Sequence, residues 1–328
     1  MRRKIQDAVV VITGASSGIG RAAAHEFARR GATLAITARD KPSLEKTADE
    51  CREMGATVLV LPADVTDEGE VKAVARQVIE KHGRIDVWVN NAAVILFGRI
   101  EDTPYKEYRR VIETNLLGYI HGARAVIPHF REQGSGTLIN VSSAYGKNAA
   151  PYLSAYSASK FGIVGLGESL RMELRDAPGV RVCTVLPATI DTALFQHAAN
   201  YTGRSVRALE PIHRVEKAAK AIVRLVEHPR REVAVGCFRR PLGAMHSLAP
   251  GLAERTMSRT VEKGHFFDAS APATSGNIDR PMPEWNQVSG GWIKEGRRKP
   301  IGLIAGIAGG VAAAAVGTFF GLRALKAR

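Results

Sequence analysis

Short apolar runs recur along the first 240 residues of the chain, separated by longer stretches of mixed polarity. Residues 8–13, Ala-Val-Val-Val-Ile-Thr, are continuously apolar up to the final threonine. That pattern predicts a strand buried on both faces. Similar runs predict strands at 32–38, 57–61, 85–89, 136–141, 180–186 and 232–236. The stretches between them predict helices at 21–30, 43–54, 67–82, 104–133, 155–176 and 215–227. Strand and helix alternating at this rhythm means parallel βαβ units in one sheet. The predicted fold is α/β, a doubly wound, Rossmann-like parallel sheet of seven strands in a single domain with a C-terminal tail helix.

From Pro241 the pattern loosens. The predicted organisation is a catalytic domain over 1–240, an irregular extension or linker over 241–296, and a basic-flanked apolar helix over 297–328. Residues 266–291 are rich in Pro, Ser, Gly and Ala, which favours irregular structure. Residues 301–322 carry no charge and lie between Arg297-Arg298-Lys299 and Arg323, Lys326 and Arg328. A run of ~20 apolar residues is long enough to span a bilayer. Gly302, Gly306 and Gly310 repeat every four residues, the small-residue face that lets membrane helices pack closely. A membrane anchor is therefore the expectation here, with a peripheral or protein-packed helix as the alternative. The start of the chain is basic, but its apolar run is too short for a secretory signal. The expected location is membrane-associated with the catalytic domain in the cytoplasm.

The chain has 328 residues and a net charge of +14. The excess lies in the C-terminal third, where residues 204–263 hold thirteen Lys/Arg against six Glu. A basic chain points to nucleic acid or to an anionic membrane. No RNP, zinc-finger or helix-turn-helix signature accompanies the charge, so a nucleic-acid partner is not expected. Cys51, Cys183 and Cys237 have no paired or metal-like spacing and read as small core residues. The histidines likewise lack metal spacing, and no metal site is expected.

Four stretches carry candidate chemistry. After the first strand comes Thr13-Gly14-Ala15-Ser16-Ser17-Gly18-Ile19-Gly20, and then a helix. Glycines in such a turn let the backbone approach a pyrophosphate at the helix N-terminus, although a tight turn without a ligand reads the same way. At the end of the second strand stand Ala38 and Arg39, where an NAD site calls for an acidic residue. A neutral residue followed by arginine suits a 2′-phosphate, so NADP is favoured over NAD. Asp64 either accepts a bond from adenine or caps the next helix. Finally, Gly136–Val141 ends at Ser142 and Ser143, and the following helix carries Tyr156 and Lys160. Residues four apart share a helix face, and a nearby ammonium favours a phenolate.

Taken together, Thr13-Gly14-x3-Gly18-Ile19-Gly20, Asn90-Asn91-Ala92-Ala93, Asn115, Ser143, Tyr156-x3-Lys160 and Pro187-x4-Thr192 resemble the short-chain dehydrogenase/reductase family over roughly residues 5–240. The glycine spacing is similar to that of the compact members. The resemblance implies an oxidoreductase that interconverts a secondary alcohol and a ketone with a nicotinamide coenzyme. It implies Tyr156 as general acid/base, with Lys160 lowering its pKa and holding the nicotinamide ribose. Ser143 fixes the substrate oxygen, and Asn115 holds a water in a proton relay. For the coenzyme it implies Gly14, Ser16, Ser17, Gly18, Ile19, Gly20, Arg39, Asp64, Val65, Asn91, Ile190 and Thr192. It also implies a homo-oligomer. Two departures stand out: Ala93 replaces the usual glycine of the Asn-Asn-Ala-Gly motif, and Ala188 follows Pro187 where glycine is usual.

Residues 193–214, polar and irregular, become a candidate substrate lid by the same comparison. Tyr145, Tyr152, Leu153, Phe195 and Tyr201 suggest an apolar, lipid-like or steroid-like substrate, and His197 and His213 lie near it. A 3-oxoacyl carrier-protein reductase is an alternative, because the basic C-terminal third suits an acidic carrier. A cofactor-sensing, membrane-associated protein without turnover is another, against which the intact Ser143, Tyr156, Lys160 and Asn115 set argues.

Overall fold

The structure is a computed structural model, and it describes residues 5–236 and 249–293. Seven strands form the central sheet in the order β10-β7-β6-β4-β1-β2-β3. They are β1 (Val9–Thr13), β2 (Thr33–Thr37), β3 (Val58–Val60), β4 (Val87–Asn90), β6 (Gly136–Val141), β7 (Val180–Pro187) and β10 (Glu232–Val235). Every neighbouring pair is parallel. The expected doubly wound sheet is therefore observed, with each strand within a residue or two of its expected place.

The alternation along β1 explains why its run is continuously apolar. Val10 and Ile12 enter a core cluster with Phe27, Leu44 and Ile222 on one face. Val9 and Val11 enter another with Val78, Trp88 and Phe130 on the opposite face. Helices α1 (Gly18–Ala28), α2 (Lys41–Glu53) and α7 (Val215–Glu227) cover the first face. Helices α3 (Glu68–His82) and α5 (Gly118–Glu132) cover the second. Each buried aliphatic side chain contributes roughly 1.5–3 kcal/mol, so a strand buried on both faces is strongly favoured in this place.

The single long helix expected over 104–133 is broken in its middle. It consists of α4 (Tyr105–Ile112), a π-helical turn (Glu113–Leu117) and α5. Asn115 sits in that turn, wholly buried. π-Turns of this kind often stand at functional sites.

The C-terminal stretch also differs from expectation. Within the region expected to be irregular, helix α8 (Pro250–Gly264) is followed by β11 (Phe266–Ser270), which pairs antiparallel with β9 (Arg204–Val206). The helix buries only Ala253, Met257 and Val261, one residue per turn. Met257 and Val261 of that narrow stripe join a third cluster with Ile95, Phe97, Leu153 and Phe266. The candidate lid holds β8 (Ala199–Asn200), which pairs parallel with β5 (Leu96–Phe97). The apolar run 301–322, expected as a membrane helix, lies outside the described residues, as does Cys237. Among the described residues no helix is long and apolar enough to cross a membrane.

Candidate active site

In an open α/β sheet, ligands bind beyond the carboxyl ends of the strands where the strand order reverses. Here the reversal falls between β1 and β4, and a cavity opens at that place. The glycine turn forms one wall. Gly14 has φ +65°, and a Cβ there would lie 2.6 Å from Ala92 Cα. A Cβ on Gly20 would lie 2.2 Å from the Gly14 carbonyl oxygen. Both glycines are thus required by the turn's own packing. Asn91 locks that turn by donating from Nδ2 to the carbonyls of Thr13, at 3.0 Å, and Gly14, at 3.1 Å. Ser16, Ser17, Gly18 and Ile19 face the cavity, while Gly20 stands behind them.

Beyond the ends of β2 and β3 the cavity is lined by Arg39, Asp64 and Val65. Asp64 does not cap the next helix. Asp67 does, accepting from Glu70 N at 2.9 Å. The Asp64 carboxylate accepts instead from Thr66 and Arg110. Burial works to raise its pKa, but the Thr66 bonds and the Arg110 and Arg39 guanidiniums outweigh burial and hold it below the usual range.

At the other end, α6 (Ser154–Glu173) carries Tyr156 and Lys160 on one face, as their spacing requires. Ser142 Oγ donates to the Lys160 carbonyl at 2.8 Å, which fixes the strand end to this helix. Lys160 Nζ donates to the Val141 carbonyl at 3.1 Å. It lies 5.4 Å from the ring centroids of both Tyr119 and Tyr156. Tyr119 donates its hydroxyl to the same Val141 carbonyl at 2.8 Å. This tyrosine gave no signal in the sequence, since it lies 41 positions before Lys160 on another helix. Lys160 has three N–H donors, and Val141 takes one.

The spacing predicts an ammonium that lowers the Tyr156 pKa. In the protein alone, burial works in the opposite direction. Burial pushes the phenol up to about 12, and only the Ser143 hydroxyl draws it down. Burial also lowers the Lys160 ammonium to about 7. The reason is shared: both groups sit in a place with little water, where desolvation disfavours either charged form. Ser143 accepts from Tyr145 N at 3.1 Å through Oγ.

The Asn115 side chain bonds within the protein. Its Oδ1 accepts from Val94 N at 2.8 Å, while Nδ2 donates to the Val94 carbonyl at 2.9 Å and to Ser159 Oγ at 3.2 Å. It therefore pins the π-turn to the loop after β4 and to α6. Ile190 and Thr192 line the cavity beside the glycine turn, and Thr192 would meet a Cβ on Gly18 at 3.2 Å. His197 lines the cavity too, whereas His213 packs against Gly236 outside it.

The Tyr156 end of the cavity holds a pair that the sequence did not reveal. Tyr145 donates its hydroxyl to His265 Nε2 at 2.8 Å. His265 Nδ1 donates to the Arg207 carbonyl at 3.0 Å, which fixes the tautomer. Burial lowers the His265 pKa to about 4, so the ring is neutral near neutral pH. Around this pair stand Phe195, Leu209 and Met257. The wall is apolar with one polar pair, and two of its members come from beyond residue 250.

The donor set along the cavity fits a nicotinamide dinucleotide. The N-terminus of α1 and the Ser16 and Ser17 hydroxyls suit phosphate oxygens, Arg39 suits a further anionic group, and the two remaining Lys160 donors suit ribose hydroxyls. Among the described residues no cluster of metal-ligating side chains is present.

A sequence profile described as short chain dehydrogenase matches residues 8–201. The chain is similar to an uncharacterized oxidoreductase of Bacillus subtilis, YxnA, with 34% identity across 95% of this chain and 91% of that one. It is 36% identical to 11-beta-hydroxysteroid dehydrogenase A of Sesamum indicum, across 66% of this chain and 64% of the relative. Among solved structures it resembles an alcohol dehydrogenase from the archaeon Thermococcus sibiricus, complexed with 5-hydroxy-NADP. That match has a TM-score of 0.62 and 29% identity, covering 72% of this chain and 99% of the other.

Proposed function

This chain belongs to the short chain dehydrogenase family of oxidoreductases, and from that membership we propose that it interconverts a secondary alcohol and a ketone, with NADP as coenzyme, on an apolar substrate. One observation carries the reading. Ser143, Tyr156 and Lys160 meet at one end of a single cavity whose far end is lined by Arg39.

A nicotinamide coenzyme bound along the glycine turn supplies or takes up the hydride. The chain's own residues handle the proton. In the reducing direction Tyr156 Oη donates its proton to the substrate oxygen as the carbonyl carbon gains the hydride. In the oxidising direction the same oxygen, as phenolate, takes the alcohol proton. A phenol held near 12 is a ready donor of a hydrogen bond and a reluctant acid, so the phenolate needs a neighbouring positive charge to form. Lys160 is the group placed to supply it. Ser143 Oγ stabilises charge developing on the substrate oxygen. Asn115 acts as a positioning residue by holding the catalytic helix against the β4 loop.

The neutral Ala38 and the basic Arg39 support NADP over NAD. The apolar wall of Phe195, Leu209 and Met257, with one hydrogen-bonded polar pair, supports a lipid-like or steroid-like substrate. The name of the Sesamum indicum relative points the same way. The uncharged, basic-flanked run 301–322 supports attachment to a membrane, which carbonate extraction of the full chain tests. A panel of hydroxysteroids, long-chain alcohols and their ketones, followed by NADPH and NADH absorbance in parallel, tests coenzyme and substrate together. Turnover confined to small polar alcohols with NADH removes both parts of the reading.

A further inference from the structure

Residues 277–292, in a stretch whose composition reads as linker, run along the whole coenzyme cleft. At the adenosine end Arg39 donates to the carbonyls of Asn277, at 2.5 Å, and Ile278, at 2.8 Å. Midway, Arg21 donates to the Asn286 carbonyl at 2.5 Å, and Asn286 Nδ2 donates to Asp40 Oδ2 at 3.0 Å and Ser43 Oγ at 2.6 Å. At the head of α1, Gly18 N donates to the Gln287 carbonyl at 2.9 Å. At the nicotinamide end Ser289 Oγ donates to Asp191 Oδ2 at 2.7 Å, and Trp292 Nε1 donates to the Thr192 carbonyl at 3.1 Å.

The segment is anchored as well as bonded. Ile278 is fully buried among Val94, Leu96 and Val111. Asn277, Pro281, Met282 and Asn286 face the cavity opposite the glycine turn, so the segment forms a wall of the cleft and does not fill it. The Asn277 amide oxygen is buried and has no hydrogen-bond partner, an acceptor suited to an amino or hydroxyl group of a nucleoside. Arg39 has five N–H donors, and two are used to hold it on the strap. The guanidinium is therefore fixed in position with donors left over, which reduces the ordering needed to bind an anion.

We propose that residues 277–292 form a coenzyme strap, which holds the dinucleotide against the glycine turn and presents Arg39 to the adenosine phosphate, so that coenzyme release requires the strap to lift. This rests on the reading of the cleft as a nicotinamide coenzyme site. Asn277, Ile278 and Asn286 are then positioning residues for coenzyme binding, supplied from outside the region that matches the family profile.

The test uses the full chain and the fluorescence of bound NADPH and NADH, displaced by excess oxidised coenzyme in a stopped-flow instrument. Asn286→Ala removes the bonds to Asp40 and Ser43, and Ile278→Ala removes the buried anchor. Each variant is expected to release NADPH about ten-fold faster. Amide exchange in 277–292 is expected to slow when NADPH binds the unaltered chain. Unchanged release from both variants, with unchanged thermal melting and no slowing of exchange, overturns the strap. Arg39→Ala separates this from the coenzyme reading, because it should weaken NADPH and spare NADH. If it weakens neither, the choice of NADP and the Arg39 role both fall, while NADH release from Asn286→Ala still decides whether the strap retains coenzyme.

Discussion

Lys160 Nζ stands 5.4 Å from the centroid of the Tyr156 ring, and both side chains are buried. Burial moves the two groups toward neutrality, the phenol up to about 12 and the ammonium down to about 7. In the proposed mechanism, the Lys160 ammonium is the positive charge that makes the Tyr156 phenolate accessible.

Replacing Tyr156 by Phe removes the proposed proton carrier and keeps the ring. Turnover is expected to fall by about 10²–10⁴-fold, the usual contribution of general acid–base catalysis. Coenzyme affinity, read by fluorescence titration, should change little, since only the hydroxyl of one lining residue is removed and the glycine turn is untouched. Turnover close to that of the unaltered chain shows that another group moves the proton.

Lys160 imposes a stability penalty that depends on pH. Its folded value of about 7 lies below the ordinary 10.5, so the folded chain binds the proton less readily than the unfolded one. The penalty is full below pH 7, shrinks as pH rises from 7 toward 10.5, and is absent above that. Lys160→Met should therefore be inactive yet more stable at pH 7, by up to about 5 kcal/mol. The gain should dwindle by pH 9.5, as followed by urea unfolding at both pH values. A variant less stable than its parent at pH 7 contradicts a desolvated lysine.

Asn115 makes three hydrogen bonds to Val94 and Ser159 from a buried π-turn. Asn115→Ala leaves the buried N–H and C=O of Val94 without their side-chain partner. A loss of about 2–4 kcal/mol in stability is expected, by the cost of unsatisfied buried polar groups. The catalytic helix loses its tether through Ser159, so kcat should fall more than KM rises. A fall in kcat with full stability points away from positioning and toward a direct part in proton transfer.

How much of this was legible beforehand follows from locality. The strands were plain because a strand buried on both faces, such as Val9–Thr13, leaves no polar position before its last residue to confuse the pattern. The Tyr156–Lys160 relationship was plain because it lies within one helical turn. Spacing carries geometry but not dielectric, so it showed the cation beside the phenol and not the burial that works on both. Helix α8 was missed because it buries one residue per turn and offers no broad apolar face. Tyr119, His265 and the Asn277–Trp292 strap reach the site from other helices and from the far end of the chain. Neighbouring residues give no sign of a partner more than a hundred positions away, such as Tyr145 for His265.

That last pair yields a prediction about both substrate and acid stability. His265 is buried and neutral, with Nδ1–H directed to the Arg207 carbonyl and Nε2 receiving the Tyr145 hydroxyl. Tyr145 in turn packs edge-on to Tyr156, with ring centroids 6.4 Å apart. His265→Phe keeps an aromatic ring among Phe97 and Phe195 but frees the Tyr145 hydroxyl. With its proton no longer directed to nitrogen, Tyr145 loses its fixed orientation in the substrate wall. KM for an apolar ketone bearing a second polar group should rise several-fold, while that for a plain ketone should hold. The sign of the pH effect follows from a folded value of about 4 against the ordinary 6.5. The unfolded chain takes up the proton first, so stability present above pH 6.5 is lost as pH falls toward 4, by about 3 kcal/mol in all. Unfolding of the unaltered chain and of His265→Phe across pH 4 to 7 should show that loss in the first and a smaller one in the second. Parallel acid profiles remove His265 as its source, and an equal rise in KM for both ketones removes its part in reading the substrate.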